Sequence, residues 1–380
     1  MSPVHSHDNW GQPPWQIAFE PPQQSAPREA DFAIVGGGFT GLAAAAWLRH
    51  LAPERSVVVL EAVSIGAGAS GRTGGVTLGE TASGDKPGLG DVLRGFQNIL
   101  TQLRVECDLS LPGAWEIGRN GALPRSPIRW NDSGTLGVVK EVPGGTLDPG
   151  KLVGGLARAA HALGVHICLP HLVERVDWAE IPEIHFASGR LRAKRILFAT
   201  NALSLDLAGP DLGMHPRLTL AALTEPVTAQ QLAAIGLVER KPFYTVDMPY
   251  LWGRVRDDNS IVWGAGLVQS PEERNLDAVD IAAGESSRLF DTLERRVRGL
   301  HPALASIRFT HRWGGPILFR DSWTPIFGWY PRSANGSQNA IVLGAYAGHG
   351  VALSSYLGAW AAEALLGWRE LPAWGMVSAP

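Results

Sequence analysis

DFAIVGGGFTGLAAAAWLRHLAPERSVVVLE, residues 31–61, decides the fold. Phe32-Ala33-Ile34-Val35 has the length and apolar, β-branched character of a buried parallel strand. It breaks at Gly36-Gly37-Gly38-Phe39-Thr40-Gly41, with glycines at the first, third and sixth places. An alanine-rich helix carrying Leu42, Trp47 and Leu48 follows, ending near His50 to Pro53, and a second strand, Val57 to Leu60, delivers Glu61. In this pattern Gly36 permits a tight turn, Gly38 close approach to a pyrophosphate, and Gly41 close helix–strand packing. The free N–H groups and positive end of the helix face the phosphates. Glu61 is placed to accept from the adenosine ribose. With 45 glycines in 380 residues the bare spacing carries little weight. The strand before it, the helix behind it, the second strand and the acid together argue for dinucleotide binding.

Working outward, the length allows one large domain or two intimately joined ones. A formal charge of −3 gives no electrostatic case for nucleic acid or an anionic membrane surface. No apolar run approaches membrane-spanning length, so no integral membrane segment is expected. The opening residues lack the basic-then-apolar order of a secretory leader, and a cytoplasmic setting is expected. Cys107 and Cys168 are too few for a disulfide framework or a metal cluster, and no metal is expected.

Residues 1–30, rich in Pro, Gln, His and Ser, read as an extended arm pinned by Trp10 and Trp15. The small-residue run from Ile65 to Gly75 suits backbone lying against a flat ligand. Residues 87–110 show helical spacing, and 113–143 read as short strands and turns. Asp148-Pro149 marks a capped helix start, followed by strands near 165–169, 172–176 and 195–198. Alternating strands such as Tyr250–Arg254 and Ser260–Gly264 frame a helix near 275–299, the pattern of an α+β cap. At the C-terminal end, strand Ala340–Leu343 leads into a second glycine-rich turn, Gly344 to Gly350, and another helix. The expected organisation is α/β plus α+β. A discontinuous nucleotide-binding domain takes 31–86, 145–215 and 335–380, and an antiparallel-sheet cap takes 87–144 and 216–334.

These residues in this order resemble FAD-dependent oxidoreductases of the D-amino acid oxidase, glycine oxidase and sarcosine oxidase family. The resemblance runs from about 31 to 368. The run Gly68-Ala69-Ser70-Gly71-Arg72-Thr73-Gly74-Gly75 is most similar to γ-glutamylputrescine oxidase-like members. It implies a Rossmann-type FAD-binding domain beneath a substrate cap. Gly36, Gly38 and Gly41 would hold the pyrophosphate, with Phe39 and Thr40 beside them, and Glu61 the ribose, next to Ala62. Ser70, Gly71, Arg72, Thr73 and Gly74 would lie along the pyrophosphate and flavin. Val173 would offer backbone to the adenine, and Ala199 and Thr200 would lie near the dinucleotide. Gly348, His349, Gly350 and Val351 would sit at the pyrimidine edge of the isoalloxazine. Some members bind flavin through a His near the first loop or a Cys in the C-terminal third. Thr73 stands in that loop and no Cys follows Cys168, so non-covalent FAD is expected. No lysine follows Lys241, which leaves oxidase and dehydrogenase, and hence O2 or another acceptor, both open.

The implied chemistry is oxidation of a small amine or amino acid at its C–N bond, giving an imine that water hydrolyses. Arg254 and Arg312 are the candidate carboxylate clamps, Tyr346 a candidate for the pocket wall, and His349 a flavin neighbour. A glycine or D-amino acid oxidase or dehydrogenase proper would need such a clamp. A flavin-binding subunit without turnover of its own is the alternative from outside enzymology.

Overall fold

The computed structural model describes residues 7–208, 213–270, 275–329 and 338–375. In chain order the strands are β1 (Glu29–Val35), β2 (Val57–Leu60), β3 (Val76–Leu78), β4 (Ala114–Gly118), β5 (Trp130–Asn131), β6 (Thr135–Val142), β7 (Gly144–Thr146), β8 (His166–Cys168) and β9 (Val173–Asp177). The rest are β10 (Glu183–Phe186), β11 (Gly189–Phe198), β12 (Met214–Thr224), β13 (Phe243–Thr245), β14 (Trp252–Val255), β15 (Ile261–Val268), β16 (Phe309–Arg320), β17 (Ile326–Trp329) and β18 (Ala340–Gly344). The helices are α1 (Phe39–Leu51), α2 (Val92–Leu103), α3 (Pro149–Ala162), α4 (Ala229–Ala234), α5 (Gly284–Leu300) and α6 (Gly350–Leu366).

Two sheets divide the molecule. The first runs β17-β18-β11-β1-β2-β8, with β9 and β10 attached as an antiparallel meander on β11. Strands β18, β11, β1, β2 and the edge strand β8 are parallel, and their apolar residues are buried. The second runs β16-β12-β15-β14-β13-β4-β6-β5 and is largely antiparallel. This is a doubly organised α/β and α+β architecture, with the strand order of the first sheet reversing direction beside β1.

Helix α1 is buried on nearly every side, which its run of four alanines permits. Helix α6 crosses it so closely that a Cβ on Gly358 would stand 2.5 Å from the Thr40 carbonyl oxygen. Asp148 caps α3 by accepting from the Lys151 N–H at 2.9 Å, with Pro149 in the first turn.

Three boundaries depart from the sequence reading. Helix α2, assigned there to the cap, packs with α1 and α6: Val92, Leu93, Phe96 and Leu100 share one core cluster with Leu353 and Leu357. Its apolar stripe finds the helical layer, and the Tyr356 hydroxyl donates to the Leu89 carbonyl at 2.6 Å. Strand β17, also given to the cap, pairs antiparallel with β18 and closes the edge of the first sheet. The helix expected from 275 begins at Gly284. Asn275 instead caps a single 3-10 turn at Leu276–Ala278 by accepting from the Asp277 N–H.

Residues 7–28 form a 3-10 turn at His7–Trp10 and then an extended course. Trp10 is wholly buried and donates its indole N–H to the Leu276 carbonyl. Among the described residues, no helix is long and apolar enough to cross a membrane.

Candidate active site

A cavity of about 1280 Å³ lies between the C-terminal ends of the parallel strands and one face of the antiparallel sheet. Val35, Leu60 and Ala199, at the ends of β1, β2 and β11, line its floor, where open α/β sheets hold their ligands.

The first glycine-rich turn forms one wall. Gly36 has φ +110°, and a Cβ there would lie 2.8 Å from the Ala199 carbonyl oxygen. Gly41 is outside the cavity lining: its missing side chain lets α1 sit on the turn, where a Cβ would come within 2.0 Å of the Gly36 oxygen. Gly38 is the N-cap of α1 and has no side chain to cap the N–H groups behind it. Phe39 N–H donates to Ser70 Oγ at 2.9 Å, and Gly37 N–H to Glu61 Oε2 at 2.7 Å. Glu61 Oε1 accepts from Val63 N–H at 2.9 Å. Glu61 and Ala62 both line the cavity.

The second turn comes from the other end of the chain. Ala345 and Ala347 both take positive φ, and Ala345 N–H is held by Asn201 Oδ1 at 3.0 Å. Helix α6 then starts at Gly350 with His349 as an N-cap that makes no side-chain capping bond. Burial lowers the pKa of His349, so it is neutral at neutral pH. Gly348, His349, Gly350 and Val351 all line the cavity. The two turns are tied by one contact, Tyr346 Oη to Thr40 Oγ1 at 2.7 Å. Tyr346 thus lines the cavity with its hydroxyl committed to α1.

The loop between them behaves differently along its length. Ser70, Arg72, Thr73 and Gly74 line the cavity, while Gly71 does not. Gly71 oxygen accepts from the Trp15 indole at 2.6 Å. The Arg72 guanidinium turns away, donating to the carbonyls of Trp10, Gly11 and Gly314. Burial lowers its pKa to about 10, which leaves it charged at neutral pH.

Neither candidate clamp reaches the cavity. Arg254 is buried beneath the loop, donates Nε–H to the Gly74 carbonyl and stacks over Trp15. Two residues on from Trp252 along β14 it takes the same face of the sheet, but it lies under Gly74 and Gly75, while Trp252 lines the cavity. Arg312 pairs with Glu294 at 2.7 Å and Asp291 at 2.9 Å on α5. Arg254 thus bonds to the loop and Arg312 to α5.

Val173, Ala199 and Thr200 line the remaining floor, beside His171. His171 Nδ1 and Ser354 Oγ are buried without a protein partner, and both residues face this cavity. Two open helix N-termini, unfilled Cβ positions and orphaned polar atoms suit a long, polar, anionic ligand with a flat end, which fits FAD.

Sequence reasoning missed the cap wall. Trp252, Tyr244, Glu116 and Glu80 line the cavity, and Tyr244 Oη donates to Glu116 Oε1 at 2.9 Å. Trp252 is wedged between glycines: a Cβ on Gly74 would lie 2.1 Å from its ring, and one on Gly264 2.0 Å. The available signal was the Trp252–Gly264 strand pairing, visible only once β14 and β15 are set in register.

A family model described as FAD dependent oxidoreductase (DAO) matches residues 31–142 and 125–364. Gamma-glutamylputrescine oxidoreductase of Escherichia coli strain K12 is 26% identical over 385 residues, covering 90% of this chain and 84% of that protein. Glycine oxidase from Geobacillus kaustophilus superposes with a TM-score of 0.70 at 16% identity, covering 93% of this chain and 100% of that one. L-proline dehydrogenase from P. horikoshii does so with 0.70 at 14%, covering 91% and 95%. The two structural likenesses are likenesses of fold.

Proposed function

The chain belongs to the DAO family of FAD-dependent oxidoreductases, and from that premise we propose that it oxidises the C–N bond of a small primary or secondary amine. The observation that carries this reading is the pair of glycine-rich turns, more than 300 residues apart, meeting at Tyr346 and Thr40 on one cavity. Bound FAD supplies a two-electron oxidant that accepts a hydride from the carbon beside nitrogen.

In this reading the α1 N-terminus, Gly38 and Ser70 hold the pyrophosphate, Glu61 the ribose and Val173 the adenine. The α6 N-terminus with Gly348 to Val351 faces the flavin, where its dipole favours the negative charge of the reduced ring. Thr73 in the loop and the lack of any cysteine after Cys168 support non-covalent binding. Trp252 and Tyr244 present aromatic faces that exclude water and leave the substrate amine neutral, with its lone pair available. That lone pair forms the C=N bond as the C–H electron pair departs. Water then adds, and ammonia or an amine leaves an aldehyde or ketone. No clamp for a substrate carboxylate lines the cavity in the positions of Arg254 or Arg312, which favours amines over α-amino acids. Electrons leave to O2 or another acceptor.

The test is direct. The purified, FAD-loaded protein should show a flavin spectrum and bleach without oxygen when given an amine substrate. A flavin spectrum that no primary or secondary amine bleaches would sink the reading.

A further inference from the structure

The register of the antiparallel sheet lays one row of residues along the cavity. Ala221 stands opposite Gly264, Gly264 opposite Trp252, Trp252 opposite Tyr244, and Tyr244 beside Glu116. Residues in register on neighbouring strands share a face, and Ala221, Trp252, Tyr244 and Glu116 all line the cavity. The Trp252 end of the row touches Gly74 in the loop below. The Glu116 end is two strand spacings away, about 10 Å. That span is bridged by an extended chain of a few methylenes.

The far end of the row is acidic. Glu80, in the turn after β3, lines the cavity from a different element and lies close enough to Glu116 for the two charges to interact. Tyr244 gives Glu116 one hydrogen bond and leaves the rest of the carboxylate open. Lys140, the cation that opposes the field at Glu80, stands in register beside Glu116 on β6, exposed and outside the cavity lining. Asp85 adds to the negative field around Glu80. The arginines of the lining do not neutralise it. Arg72 is engaged by backbone carbonyls, and Arg296 donates to Asp132 and to the carbonyls of Pro249 and Tyr250.

We infer that the substrate carries a second positive charge, seated between Glu116 and Glu80, while its reacting amine lies at the Trp252 end of the row. The inference rests on the amine-oxidising reading and narrows it to diamines and larger polycationic amines. Glu116 and Glu80 are then specificity residues, and Tyr244 a positioning residue for Glu116. A terminal carboxylate in the same place would meet two like charges.

Three probes of one length separate the possibilities: pentylamine, cadaverine with a second ammonium, and 5-aminopentanoate with a terminal carboxylate. On the FAD-loaded protein, kcat/KM should rank cadaverine above pentylamine by roughly tenfold or more, and 5-aminopentanoate last. Glu116→Gln and Glu80→Gln should each compress the cadaverine-to-pentylamine ratio toward unity. Glu54→Gln, on the exposed end of the first helix's following turn, should keep the parent ratio. Tyr244→Phe should raise KM for cadaverine more than for pentylamine. Equal use of cadaverine and pentylamine, a preference for 5-aminopentanoate, or a ratio unmoved by both glutamate variants overturns the inference while leaving amine oxidation standing. No bleaching with any amine overturns amine oxidation itself, and this inference with it.

Discussion

Tyr346 shows how one hydroxyl joins the two ends of the chain. It is buried, and its bond to Thr40 is the side-chain link between the turns that open α1 and α6. Tyr346→Phe leaves Thr40 Oγ1 buried and short of a partner, at a cost of about 1–3 kcal/mol. Thr40→Val combined with Tyr346→Phe should cost less than the sum of the two, as a double-mutant cycle on denaturant melts will read. Glu80 makes the opposite case. Burial raises its carboxyl above the ordinary value, Asp85 and Glu116 raise it further, and Lys140 opposes them. The folded state therefore binds the proton more tightly than the unfolded one. Stability intact below the unfolded pKa is lost as pH rises through the folded pKa. Glu80→Gln should raise Tm at neutral pH and change it little below the carboxylate range, measured on the FAD-free protein. A variant that gains stability while losing discrimination is the signature of a strained functional group. At this scale the sequence was half legible. Glu61 and the turn glycines follow from their spacing within a strand–turn–helix–strand context. Arg254 and Arg312 looked like clamps because their residue type suits a carboxylate. Type does not say what lies over a side chain, and the Gly74–Gly75 loop covers Arg254 although it shares a face with Trp252.

Among the elements, the legible ones carry their own periodicity. Strands β1 and β2, helix α1 and the α6 turn are recognisable because each is continuous in sequence and bounded by glycine-rich turns. Gly41→Ala tests how tightly this local logic is built. The added methyl would approach the Gly36 oxygen to 2.0 Å, and neither α1 nor the turn can yield without moving the N–H groups of the cavity. A loss of about 3 kcal/mol or more is expected, together with weaker FAD retention, read by chemical melts and by flavin released on dilution. Helix α2 and strand β17 were misassigned for a common reason. Each has a clear apolar pattern, yet pattern says that a face is buried and not against what. The row from Ala221 to Glu116 was invisible for the same reason, since it crosses four strands that lie far apart in sequence.

For the whole molecule, the decisive question is what holds the antiparallel sheet over the glycine-rich loop, and the N-terminal arm supplies much of the answer. Trp10 is buried among cap residues and bonded to Leu276, and Asn9 oxygen accepts from Ile281 N–H. From the same arm, the carbonyls of Trp10 and Gly11 hold the Arg72 guanidinium, and the Trp15 indole holds Gly71. Trp15 also meets Trp313 of β16 edge-on at 5.4 Å, and Trp313 in turn donates to the Arg72 carbonyl at 2.9 Å. The arm is therefore a clasp with one grip on the cap and one on the loop that lines the cavity. Trp10→Ala empties a fully buried site, at a cost of about 3–5 kcal/mol. Removing residues 1–15 takes away both grips and strips Arg72 of two carbonyl partners, leaving a buried guanidinium short of acceptors. Truncation should thus loosen FAD more than Trp10→Ala does at equal loss of Tm, because only truncation releases Gly71 and Arg72 together. Flavin fluorescence followed through a thermal ramp reads both quantities in one experiment. If the truncated chain holds FAD as tightly as the parent, the loop keeps its shape without the clasp, and the arm serves the cap alone.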